Sequence, residues 1–85
     1  MQSHGNPAKT LARAIRAQRK SLRITQKQVA LLAGCGPDFI YDLENGKPTL
    51  RFDKVLQVLS VIGLELVVRR GKQGVAVDEA LAEDR

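Results

Sequence analysis

Two closely spaced start and stop signals near the middle of the chain constrain its fold most. Thr25-Gln26-Lys27-Gln28 reads as a capping box, in which the Thr hydroxyl and the Gln amide satisfy backbone N–H groups reciprocally. Ile24 and Val29 stand at the staple positions on either side of it. The helix opened there runs over Gln26–Ala33 and meets Gly34, which suits a left-handed stop. Only Cys35 and Gly36 follow before Pro37 can open another helix, with Gly36 as a permissive N-cap. Phe39, Ile40 and Leu43 give that second helix a buried face, and Asn45-Gly46 ends it.

The flanks read as further helices. Asn6-Pro7 is an N-cap followed by proline at the first helical position. Leu11, Ile15 and Leu22 then fall on one face, which predicts a helix from about Pro7 to Lys20. Beyond Lys47-Pro48, the spacing of Phe52, Val55, Leu56, Leu59 and Ile62 predicts another that stops at Gly63. The period then changes: Leu64, Leu66 and Val68 alternate with Glu65, Val67 and Arg69, the pattern of a strand. The rest of the chain offers that strand no partner longer than Val75-Ala76-Val77. An unpaired strand leaves both edges open, so antiparallel pairing between two copies across a twofold axis is the favoured reading. The alternative is an extended segment lying on the last helix. Past the Gly71 and Gly74 hinge, residues 71–85 read as a mobile acidic tail, with at most a marginal helical turn over Asp78–Asp84. Residues 1–6 read as a flexible N-terminus, and 7–70 as one domain.

Charge is divided unevenly. Residues 1–72 carry 13 Lys/Arg against 5 Asp/Glu, or +8, and residues 73–85 carry 1 against 4, or −3, which together give the net +5. Residues 9–27 hold seven basic side chains and no acid, a block suited to a polyanion through phosphate neutralisation and counterion release. One cysteine and one histidine exclude a disulfide framework and a zinc module, and fit a reducing cytoplasm. No apolar run exceeds the five residues Val29–Ala33, so no membrane span is expected, and Met1–Gly5 lacks the apolar stretch of a leader. At 85 residues only about 60% of the chain's surface can be buried, which makes recruitment of a second copy attractive.

Two short helices joined by a tight glycine-containing turn form the helix-turn-helix, whose second helix enters the major groove of DNA. Ile24-Thr25-Gln26, Ala30, Ala33-Gly34, Phe39-Ile40 and Leu43-Glu44-Asn45-Gly46-Lys47-Pro48-Thr49 resemble the Cro/cI-type (XRE) family. With Val55-Leu56, Leu59 and Ile62-Gly63-Leu64, they look more narrowly like HipB-type antitoxins. The resemblance covers about residues 9–69. It implies a mainly α fold of four to five helices, with a C-terminal β-strand pairing across a homodimer through Leu64, Leu66 and Val68. It also implies a sequence-specific repressor of its own operon that binds double-stranded operator DNA and neutralises a HipA-type serine/threonine kinase toxin. Such a protein works in the bacterial cytoplasm, associated with the nucleoid. On the matching positions, Gln26, Asn45 and Lys47 would meet phosphates, with Lys27 of the basic block beside them. Gly36, Pro37, Asp38 and Tyr41 would face bases, with Asp42 nearby. Arg19 and Glu44 match a pair that joins the first helix to the end of the third.

The second helix of the motif departs from the pattern, because it carries Asp38, Asp42 and Glu44 and no base. Carboxylates are repelled by phosphate-rich grooves, although an Asp can accept from cytosine N4. A free-standing phage-type repressor, and a protein-binding antitoxin with weak DNA binding, are therefore the competing readings. Cys35 is expected to be a packed thiol, and Phe39 and Phe52 core residues; Tyr41 is either a groove contact or a partly exposed helix residue. His4 is not expected to be a ligand. The sequence holds no nucleophile–base pair or carboxylate dyad, and Gly34-Cys35-Gly36 lacks the lysine of a phosphate cradle. Neither an enzyme nor a cofactor is expected.

Overall fold

The structure, a computed structural model, describes residues 6–81, and four helices form among them. These are α1 (Pro7–Ser21), α2 (Gln26–Ala33), α3 (Pro37–Glu44) and α4 (Phe52–Val61). Each starts where the local chemistry places it. The Asn6 side chain accepts from Ala8 N–H at 2.8 Å, ahead of Pro7 at the first helical position. At α2 both halves of the capping box are made: Gln28 N–H to Thr25 Oγ1 at 3.0 Å, and Thr25 N–H to Gln28 Oε1 at 2.8 Å. Gly34 ends α2 at φ 72°, and Gly36 leads into Pro37 without a side-chain cap.

The helices enclose one core. Ile15 of α1, Val29 and Ala30 of α2, Ile40 and Leu43 of α3, and Val55, Val58 and Leu59 of α4 are buried together with Ile62. Leu11, Ile24, Cys35, Phe39, Leu50 and Leu64 pack around it half-buried. The α4 end is fastened to α1 by Gln18, whose Nε2 donates to the Ile62 carbonyl at 2.8 Å. At the end of α1, Arg23 adopts φ 60°, so a non-glycine residue takes the left-handed position that closes this helix.

Three expectations are corrected. Phe52 is 64% exposed and does not join the core: it opens α4, ahead of the buried stretch that begins at Val55. Leu22 is likewise partly exposed, because it caps α1 and the buried face has ended before it. No strand forms over Leu64–Arg69, nor over Val75–Val77. A strand requires a ladder, and among the described residues no backbone–backbone hydrogen bond is made by residues 65–69. The segment leaves α4 through Leu64, whose N–H reaches the Leu59 carbonyl at 2.8 Å, and continues without regular secondary structure. Of the three residues assigned to dimerisation, Leu64 is half-buried against the core, Leu66 is partly exposed and Val68 is 99% exposed. Residues 74–81 run back so that Val75 and Leu81, with Leu11, Ala14, Leu59 and Leu64, line an open groove of about 1000 Å³. The acidic segment makes one turn, with Ala80 N–H on Asp78 Oδ1 at 2.8 Å; its continuation over 82–84, like His4 and the N-terminal residues 1–5, lies outside the described residues.

Of the described glycines, Gly46 has the least room for a side chain. It is buried at φ +79°, and a Cβ there would lie 2.7 Å from Lys9 Cγ and 3.3 Å from Lys9 Cα. Gly34 shares the left-handed conformation but has open space where a Cβ would go. Gly34→Ala is therefore expected to cost only the left-handed term, about 1 kcal/mol, and Gly46→Ala about 2 kcal/mol or more because α1 must also give way. Urea unfolding of the two variants checks this, and equal losses would show that the Lys9 contact relaxes without cost.

Candidate nucleic-acid interface

The α2–turn–α3 unit is held at both ends. Ala30 of α2, 2% exposed, is buried in the same core as Ile40 and Leu43 of α3. At the far end, one carboxylate gathers three elements. Arg19 of α1 donates from Nε to Glu44 Oε2 at 2.7 Å and from Nη2 to Oε1 at 3.0 Å, a bidentate pair. Its Nη1 donates to the Ile24 carbonyl at 2.9 Å, ahead of α2. Gln26, the first residue of α2, donates from Nε2 to the same Glu44 Oε1 at 3.0 Å. The two ionic side chains are 12% and 3% exposed, so the charges are buried but paired and hydrogen-bonded.

This geometry places the expected DNA-contacting residues in two groups. Gln26 and Lys27 at the start of α2 lie beside the end of α3, from which Asn45 and Lys47 follow; Gln26 is half-buried and Lys27, Asn45 and Lys47 are exposed. Gly36, Pro37 and Asp38 sit at the other end of α3, about 10 Å away along an eight-residue helix. Tyr41, between them, projects into solvent. Two of the expected phosphate contacts are already engaged within the chain. Gln26 is held by Glu44, and the Asn45 side chain donates to the Tyr41 carbonyl at 2.7 Å, closing α3. Lys47 Nζ stands 3.6 Å from Asp42 Oδ2, with both side chains substantially exposed.

A basic stripe emerges that charge counting alone did not reveal. Lys9, Arg13, Arg16 and Lys20 recur at intervals of four, three and four on α1, all exposed, on the side opposite the buried Ile15 face. The Lys9 end of the stripe abuts Gly46, next to Asn45 and Lys47. The spacing was available in the sequence, but it becomes a stripe only once the phase of the helix is fixed. Arg23 and Lys27 continue the positive surface around the turn into α2.

Cys35 lies half-buried in the turn, and burial pushes its thiol above the ordinary value while Lys54 nearby acts in the opposite sense. It is therefore a packed, protonated thiol at neutral pH. Among the described residues no three His, Cys, Asp or Glu side chains gather to hold a metal, and no helix is long and apolar enough to cross a membrane.

Comparison with known proteins places this geometry. The helix-turn-helix family model matches residues 15–68. An uncharacterised HTH-type transcriptional regulator of Sinorhizobium fredii, y4mF, is 46% identical over 52 residues, which is 61% of this chain and 68% of that protein. Among solved structures, the clp gene regulator ClgR from C. glutamicum superposes with a TM-score of 0.67 at 18% identity, over 78% of this chain and 85% of its own. A structure described as MDT Protein gives 0.72 at 22% identity, over 85% and 100% of the two chains. At these identities the structural likeness establishes the fold.

The Glu44 junction yields a stability test. Glu44→Ala should cost about 3 kcal/mol, because it strands a buried guanidinium. Arg19→Met combined with Glu44→Leu should cost clearly less than the sum of the single changes. A double-mutant cycle by chemical denaturation checks this, with a coupling above about 1 kcal/mol expected; a value below about 0.3 kcal/mol would make the junction dispensable.

Proposed function

The chain belongs to the helix-turn-helix family, in its XRE-type branch of DNA-binding transcription regulators, and on that premise we propose that it is a dimeric repressor of its own operon. The observation that carries this reading is the positive surface beside the motif, formed by the Lys9, Arg13, Arg16 and Lys20 stripe together with Lys27 and Lys47. Phosphate contacts of this kind supply sequence-independent affinity and fix register, while α3 meets the base edges. In this reading Gln26, Lys27, Asn45 and Lys47 anchor the backbone, and Gly36, Pro37, Asp38 and Tyr41 face the groove. Asp38 can accept from a cytosine amine.

Dimerisation is part of the proposal. Residues 65–69 make no backbone–backbone hydrogen bond among the described residues and carry the exposed apolar side chains of Leu66, Val67 and Val68. A second copy of the same segment, running antiparallel, would satisfy both at once. A twofold dimer would set two α3 helices one helical turn of DNA apart.

The narrower role, as the antitoxin of a HipA-type kinase, is supported by the HipB-like residues around α3 and α4 and by the acidic tail, which with 7–70 would form the two functional parts of the chain. The carboxylates of α3 favour a second reading, in which protein binding outweighs DNA binding.

Titration of duplex DNA tests the first reading. Binding is expected at ~50 mM salt, falling steeply as salt rises; Lys47→Ala should weaken all sequences about equally and flatten the salt slope by about one unit. Absence of any duplex binding at that salt would remove the repressor reading and leave the protein-binding one. Light scattering tests assembly: the wild type should be dimeric at tens of micromolar. Leu66→Asp, which would place an unpaired charge in the shared core, should be monomeric or unfolded, and a monomeric wild type would overturn the pairing.

A further inference from the structure

Lys47 meets a carboxylate of its own chain where it would meet phosphate. Its Nζ lies 3.6 Å from Asp42 Oδ2, and its N–H donates to the Asp42 carbonyl at 3.1 Å, so the turn after α3 holds the two residues together through backbone as well as side chain. The Lys47 and Asp42 side chains are 50% and 39% exposed, which leaves the ammonium reachable from solvent. Lys47 also follows Gly46, whose close approach to Lys9 sets the turn against α1.

From this arrangement we infer that Asp42 is an attenuator of the DNA contact, an internal phosphate substitute that Lys47 must leave before it can engage the nucleic-acid backbone. The inference rests on the DNA-binding reading above. Its chemistry is an exchange of one ion pair for another. In the free chain the Lys47–Asp42 site is close to neutral, so moving Lys47 onto a phosphate displaces a cation from the DNA but frees a carboxylate that takes one up. Engagement of Lys47 by a phosphate also leaves the Asp42 carboxylate unpaired beside a polyanion. Both effects lower the part of the affinity that carries no sequence information, and so raise the weight of the base contacts from the rest of α3. The acidic character of α3 then has a use: one of its carboxylates lies on the side facing the phosphate-contacting turn rather than on the groove-facing residues.

Asp42→Asn tests this, since it keeps the shape and the backbone bond and removes the charge. With a mixed-sequence duplex of about 20 base pairs as the probe, Asp42→Asn should bind about threefold more tightly than the wild type at low salt. Its salt slope should be steeper by up to about one unit per chain. The comparison is then repeated on a Lys47→Ala background. The gain should there fall to less than half, because the residue that Asp42 restrains is gone. An equal gain on both backgrounds would overturn the inference, for Asp42 would then be a general repulsive charge; no gain on either would overturn it as well. If neither wild type nor any variant binds duplex at ~50 mM salt, the DNA-binding reading itself fails, an outcome distinct from the other two. Thermal unfolding of each variant, expected to match its parent within a few degrees, establishes that the comparison is between folded proteins.

Discussion

The carboxylate of Glu44 ties three helices of this chain to one another. It takes two hydrogen bonds from Arg19 on α1 and one from Gln26 at the start of α2, while its own backbone ends α3. A buried carboxylate at the edge of the helix-turn-helix motif would be expensive alone. Paired bidentately with a guanidinium it is neutralised, and the same contacts set the angle between the two helices of the motif. The apolar core supplies most of the stabilisation, as in any small domain. Packing between short helices leaves their rotation loosely specified, however, and directional bonds at the junction remove that freedom.

The helix boundaries were readable from local chemistry, because each depends on residues within a few positions of the boundary. Thr25, Gln28 and Gly34 act on their own backbone neighbourhood, so their roles survive in any tertiary context. Arg19 and Glu44 were reachable by resemblance, whereas the Gln26–Glu44 contact spans 18 positions and leaves no local trace. Phe52 shows the limit of periodicity: it continues the apolar stripe of α4, but a stripe does not say where the neighbouring core ends. The left-handed Arg23 was illegible for a similar reason, since glycine is the usual signal for that conformation and this chain uses a long cation instead. The alternation over Leu64–Arg69 has the period of a strand, yet the segment forms none within the chain. Whether such a segment becomes a strand depends on a partner, and a partner is a property of the assembly rather than of the chain.

Within α1–α3 positive and negative charge are separated by element, whereas α4 mixes Asp53 with Lys54 and pairs Asp53 with Arg51. The cations of α1 form an exposed stripe, and Lys27 and Lys47 lie at the ends of α2 and α3. The acids of α3 are individually placed: Glu44 is buried against Arg19, Asp42 stands beside Lys47, and Asp38 occupies the first turn, where it complements the positive end of the helix dipole. The helix that looked least suited to a polyanion therefore presents fewer free carboxylates than its composition suggests.

The close contact of Gly46 with Lys9 bears on how freely this recognition unit could be exchanged. Grafting a foreign second helix into a related scaffold is an obvious way to redirect a DNA-binding domain. Here the exchangeable portion ends at Leu43. Glu44 belongs to the junction with α1 and α2, Asn45 closes the helix on Tyr41, and Gly46 leaves no room for a side chain against Lys9. A transplant that carried its own residues at those three positions would bring the new reading surface and lose the seat that orients it. A transplant limited to Pro37–Leu43 would inherit the seat unchanged.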